Sequence, residues 1–130
     1  MGDKSTPRPT DAELAILRVL WERGPSTVRE VHEALLSRSH DSGYTTILKL
    51  MQIMTDKGLV DRDESQRAHV YTSRYGEQRT QRQLLGDLIE RAFGGSPAKL
   101  VMQALSTTKA SAEDLSAIRN LLDKMEEEAR

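Results

Sequence analysis

The side chains able to do covalent or acid–base chemistry are few in this sequence and badly spaced for it. Histidine occurs only at positions 32, 40 and 69, with no HxxxH pair and no carboxylate at zinc-site spacing. His32 reads as a surface residue of a helix and His69 as a strand residue. The absence of cysteine removes thiolate metal sites, disulfides and thiol nucleophiles together. No serine sits in a nucleophile-elbow pattern, and Gly94-Gly95 leads into "SPAKL" rather than completing a phosphate-binding loop. Asp61, Asp63 and Glu64 cluster at a turn, where solvation explains them better than proton transfer. No catalytic residue, metal site, cofactor or small-molecule substrate is expected, and the chain is not read as an enzyme.

Hydrogen-bonding chemistry is better represented. The stretch "GYTTILKLMQIMTDKGLV", residues 43 to 60, has helical periodicity, with Ile47, Leu50, Met51 and Met54 inside an arc of about 100 degrees. Thr45, Lys49, Gln52 and Asp56 lie opposite, with Thr46 on the flank. Short polar groups near a helix N-terminus, followed one turn later by Lys and then Gln, suit approach to base edges and phosphates in a major groove. Thr45 and Thr46 have a plainer reading as helix caps. Arg67, near the tip of an expected hairpin, reads as a phosphate or minor-groove contact, or as ordinary surface charge. Arg62 is weaker, because Asp61 and Asp63 flank it.

These groups need elements to hold them. Residues 1–9, with Pro7 and Pro9, read as a flexible arm. "TDAE" from Thr10 is a capping box that starts a helix over about residues 11 to 23, with Leu14, Leu17, Leu20 and Trp21 on its apolar side. Gly24-Pro25 stops it. A second capping box, "TVRE" from Thr27, opens a helix to about Ser37 with Val28, Val31 and Leu35 inward. The helix of residues 43 to 57 follows, ended by Gly58. Leu59 to Arg62 and His69 to Ser73 are β-prone runs around a polar tip, which makes a hairpin. Three helices followed by a hairpin is the order of a winged helix-turn-helix.

Beyond Gly76 the pattern changes to a charged helix with Leu84, Leu85, Leu88, Ile89 and Phe93 on one stripe, stopped by Gly94-Gly95. Ser96 and Pro97 restart a helix that carries Leu100, and Ser111 caps a last one bearing Leu115, Ile118, Leu121, Leu122 and Met125. These helices cannot bury their own stripes, so self-association is expected. The fold class is therefore mainly α with a small β-hairpin: a winged helix-turn-helix head over 1–76 and a helical dimerisation region over 77–130. Leu88, Leu100, Leu115, Ile118, Leu121, Leu122 and Met125 are the expected dimer contacts.

Composition sets the outer bounds. A chain of 130 residues with 37% apolar and 30% charged residues suits one small core plus amphipathic helices. No apolar leader or run long enough to span a bilayer occurs, so a cytoplasmic location is expected. The net charge of −1 gives no general support to a nucleic-acid binder. Residues 1 to 75 hold 11 basic and 11 acidic groups, and residues 76 to 130 hold 8 and 9. A DNA-binding reading has to rest on local pattern.

The ordered set "TDAELAILRVLW", "STVREVHEALL", "YTTILKLMQIMTDKGLV" and "RAHVY" resembles the penicillinase-repressor family, the BlaI/MecI/CopY type of bacterial winged-helix transcriptional repressors. "AFGGSPAKLVMQALS" and "SAEDLSAIRNLL" resemble that family's dimerisation helices. The resemblance implies a homodimer whose heads face successive major grooves of a palindromic operator in double-stranded DNA, with recognition contacts at Thr45, Thr46 and Lys49. A position that is commonly Arg in the family is Ile53 here. The copper-responsive mechanism of some members requires cysteine pairs and is excluded. In β-lactam-responsive members a membrane sensor metalloprotease acts at an Asn-Phe bond; no such pair occurs here, and Gln103-Ala104 occupies the corresponding stretch. The expected function is a dimeric repressor released by a signalling or proteolytic input. A protein-docking winged-helix module without DNA affinity is the alternative that the balanced charge favours.

Overall fold

Both capping boxes form as the sequence requires. In the computed structural model, which describes residues 7–130, the Glu13 N–H donates to Thr10 Oγ1 at 3.2 Å and the Thr10 N–H donates to Glu13 Oε1 at 2.9 Å. Thr27 and Glu30 repeat the arrangement at the same two distances. Each box satisfies two N–H groups that a helix start otherwise leaves unpaired. They open α1, Asp11–Arg23, and α2, Val28–Ser37. Pro7 to Pro9, the described part of the expected arm, have no regular structure; residues 1–6 lie outside the described residues.

α3 spans Tyr44–Lys57 and ends on Gly58, whose φ of 84° is a left-handed conformation that L side chains resist. The Leu59 N–H then donates to Met54 O at 2.9 Å, closing the helix end. β1, Val60–Asp63, pairs antiparallel with β2, Val70–Ser73, in the register Val60 to Ser73 and Asp63 to Val70. Ser26, between α1 and α2, adds a further rung: it exchanges backbone hydrogen bonds of 3.0 and 2.8 Å with Tyr71. The wing is thereby stitched to the helical part of the head.

The core lies between the three helices and the base of the hairpin. Ile16, Leu17, Val19 and Leu20 of α1 meet Val28, Val31 and Leu35 of α2, and Ile47, Met51 and Met54 of α3, with Leu59, Val60 and Tyr71 closing one side. Leu14 and Leu50, expected inward, are only half-buried, while Ile16 and Val19 are fully enclosed. α1 is packed on more than one side, so its buried arc is wider than a single apolar stripe.

α4, Glu77–Ala92, α5, Pro97–Thr107, and α6, Ala112–Glu128, complete the described chain. The chain divides into two compact units between Leu85 and Gly86. In the first, the start of α4 is held by Trp21, whose indole Nε1 donates to Tyr75 O at 3.1 Å, and by the burial of Thr80. In the second, Gly94 and Gly95 turn the chain with φ of 58° and 81°. Ser96 and Ser111 then cap α5 and α6 through side chains that accept from the Lys99 and Asp114 N–H groups. No residue of α5 or α6 is buried.

Candidate nucleic-acid interface

α3 buries one stripe and exposes much of the rest, Tyr44 and Ile53 included. With Ile47, Met51 and Met54 anchored in the core, Thr45, Thr46, Lys49 and Gln52 all stand exposed. Spacings of four and three residues align Thr45, Lys49 and Gln52 along one face, with Thr46 a turn before Lys49. Among the described residues none of the four forms an ion pair or a side-chain hydrogen bond. The capping reading of Thr45 and Thr46 is overturned: the N-cap is Gly43, no side chain caps the helix, and both threonines lie inside its first turn. Their hydroxyls and the N–H groups of that turn have no partner among the described residues, and unpaired N–H groups at a helix start favour an anion.

The far end of α3 is fixed by charge. Lys57 Nζ lies 2.7 Å from Glu13 Oε1, and the Glu13 side chain is only 3% exposed. Burial works to raise the Glu13 carboxyl. The Lys57 and Thr10 hydrogen bonds and the Lys57 charge outweigh it and hold the carboxyl below its ordinary range. Glu13 thus caps α1 and locks α3 to it. The capping box was legible in the sequence, but this second role, between residues far apart in the chain, was not.

The hairpin sorts its charges. Arg62 is engaged by the Tyr71 side chain and by Glu64 at 2.6 Å, so Glu64 neutralises it rather than the flanking Asp61 and Asp63. Asp61 instead pairs with Arg74 at 2.7 Å. The Asp63 carboxylate accepts from the Ser65 N–H at 2.9 Å, which holds it below its usual range. Arg67 remains exposed at the tip with no ion pair among the described residues. His69 is exposed immediately before β2 rather than within it. His32 is half-buried and bonded to the Ser42 carbonyl at 3.1 Å, so it is more than a surface residue.

The tail leaves its apolar residues open. Leu88, Leu115, Leu121, Leu122 and Met125 are exposed, and Leu100 and Ile118 are half-buried. Phe93, Ala98, Met102 and Gln103 line an open cleft of about 560 Å³ beside α5. Among the described residues no group of His, Asp or Glu is arranged to hold a metal ion, and no helix is long and apolar enough to cross a membrane.

Three packed helices and a hairpin stitched to them through Ser26 make a winged helix-turn-helix. The sequence profile of the penicillinase repressor family matches residues 9–124. The chain is 34% identical over 119 residues to the "Transcriptional regulator BlaI" of Mycobacterium tuberculosis, covering 89% of this chain and 83% of that one. It is 24% identical over 121 residues to the "Penicillinase repressor" of Bacillus licheniformis, covering 93% and 94%. A solution structure of the DNA-binding domain of the repressor BlaI aligns with 55% of this chain and 87% of that one, at 28% identity and a TM-score of 0.49. The chain belongs to the penicillinase repressor family, a family of transcriptional repressors rather than enzymes.

Proposed function

We propose that this repressor binds a palindromic operator as a homodimer, with the α3 face of Thr45, Thr46, Lys49 and Gln52 in the major groove and Arg67 of the wing on the backbone. The observation that carries the reading is that face: four exposed polar side chains at helical spacing without partners among the described residues. Elsewhere the head's surface charge is largely paired, as in Arg62 with Glu64 and Arg74 with Asp61. Residues 1–76 act as the DNA-binding head and 77–130 as the dimerisation region.

Dimerisation is supported by the lack of any buried residue in α5 and α6. Apolar side chains on α5 and α6 stay wet in a single chain, and a second copy removes them from water at roughly 25 cal/mol per Å². Two linked heads also bind two half-sites with a high effective local concentration. Release by a membrane sensor metalloprotease fits the exposure of Gln103 and Ala104 in α5, since a cut there separates α6 from the head. The site of action is the cytoplasm, where the operator is.

A gel shift with a duplex from upstream of the chain's own gene tests the reading. Specific, salt-sensitive binding is expected, with log K falling by about 0.9 per phosphate contact for each unit of log salt concentration. No binding even at low salt would refute it in favour of a protein-docking module.

A further inference from the structure

The connector between α2 and α3 has little to hold it in place. It runs from Arg38 to Gly43, longer than the turn of about three or four residues usual in a helix-turn-helix. Its first part folds back on α2: the Arg38 and His40 N–H groups donate to Leu35 O, the Ser39 N–H donates to Leu36 O, and Ser39 adopts a φ of 63°. Beyond that, no backbone–backbone hydrogen bond among the described residues involves Asp41 or Ser42. The following N-cap, Gly43, has no side chain to anchor the helix start. Among the described residues one side chain is hydrogen-bonded to Ser42. His32, inside α2, places Nε2 3.1 Å from Ser42 O, and its ring meets the Tyr44 ring edge-on, with centroids 5.9 Å apart and planes at 89°. A carbonyl oxygen can only accept, so Nε2 carries the hydrogen and donates it.

From this geometry we infer that His32 is a positioning residue for DNA recognition. By gripping Ser42 O on one side of Gly43 and Tyr44 on the other, it sets where α3 begins and thus where Thr45 and Thr46 stand. It does from α2 what a capping side chain does elsewhere, and it leaves the N–H groups of the first α3 turn unobstructed. The inference rests on the reading of α3 as the DNA-contacting helix, but the grip itself can be measured in the free protein.

Amide hydrogen exchange on full-length protein carrying His32→Ala or His32→Gln tests it. The Ile47 N–H donates to Gly43 O at 3.1 Å, the first backbone bond of α3, whereas the Tyr71 N–H donates to Ser26 O in the core-facing hairpin. In His32→Ala the Ile47 amide should exchange on the order of tenfold faster while Tyr71 is unchanged. His32→Gln, which returns an N–H donor at a similar reach, should restore protection. In gel shift with the upstream duplex, His32→Ala should lose about tenfold in specific affinity at an unaltered salt slope, and His32→Gln should recover most of it. Unchanged Ile47 exchange in His32→Ala, or faster exchange that Gln does not restore, overturns the positioning role. Normal duplex binding by His32→Ala despite faster exchange overturns its link to recognition. If the unaltered protein fails to shift the duplex, the operator reading falls, and the exchange comparison alone decides the grip.

Discussion

Replacing Lys57 by Met keeps most of the aliphatic stem and deletes the ammonium that sits 2.7 Å from Glu13 Oε1. The Glu13 carboxylate, 3% exposed, then keeps the bond it accepts from the Thr10 N–H. Removing one partner of a fully buried pair costs about 3–5 kcal/mol, and of an exposed pair at most about 1 kcal/mol. Lys57 retains 32% exposure, so water replaces part of what the ammonium supplied, and a loss of about 2 kcal/mol is expected near neutral pH. That is about 10 °C in Tm for a head of this size. The pH dependence has a definite sign. Glu13 is held below its ordinary pKa of 4.5, so its contribution is complete above that value and is lost as pH falls through the lower folded value. Without Lys57 the opposing effect of burial is less outweighed, and less stability remains for acid to remove. The gap between the two proteins should therefore narrow below pH 4.5. Urea unfolding followed by fluorescence of Trp21, the single tryptophan, measures both. A loss under about 0.5 kcal/mol near neutral pH, or a gap that stays constant into acid, would refute the reasoning.

Three further outcomes follow from named contacts. Gly58→Ala places a Cβ 2.9 Å from Arg74 Nη1 at a φ of 84° and should cost about 1–2 kcal/mol in chemical denaturation, mainly from the left-handed backbone, because the Arg74 side chain can move aside. Thr27→Ala removes the acceptor for the Glu30 N–H; a loss of about 1 kcal/mol is expected, and the same unfolding experiment would show no change if the box were ornamental. Ile118→Asp combined with Leu122→Asp should yield monomers in sedimentation at micromolar concentration, and a double variant that stays dimeric would place the interface elsewhere.

Much of the head was legible because its signals are local. Capping boxes, a glycine stop and a period of 3.6 residues depend on neighbours in the chain, and α1, α2 and α3 appear where those signals put them. The polar face of α3 was legible for the same reason, since anchoring Ile47, Met51 and Met54 turns Thr45, Lys49 and Gln52 outward. What escaped is tertiary. Which arc of α1 is enclosed depends on how many neighbours pack on it, so Ile16 and Val19 were missed. The pairs Lys57 with Glu13, Ser26 with Tyr71, Trp21 with Tyr75 and His32 with Ser42 join residues whose proximity no periodicity encodes. The threonines were ambiguous because a residue type that caps helices also binds DNA. The placement of Gly43 as N-cap removes the capping reading and leaves both hydroxyls exposed.

The most direct test of groove recognition by α3 compares Lys49→Ala and Gln52→Ala with the unaltered protein in quantitative operator binding across a salt series. Both side chains are exposed and unpartnered among the described residues, so the fold should stay within about 0.5 kcal/mol of the original. If Lys49 holds a phosphate, its loss weakens binding to all duplexes alike and lowers the salt slope by about 0.9 per subunit. If Gln52 reads a base edge, its loss costs about 1–3 kcal/mol and relaxes preference at one operator position in each half-site. Operator affinity and salt slope unchanged in both variants would contradict the assignment of this face to DNA.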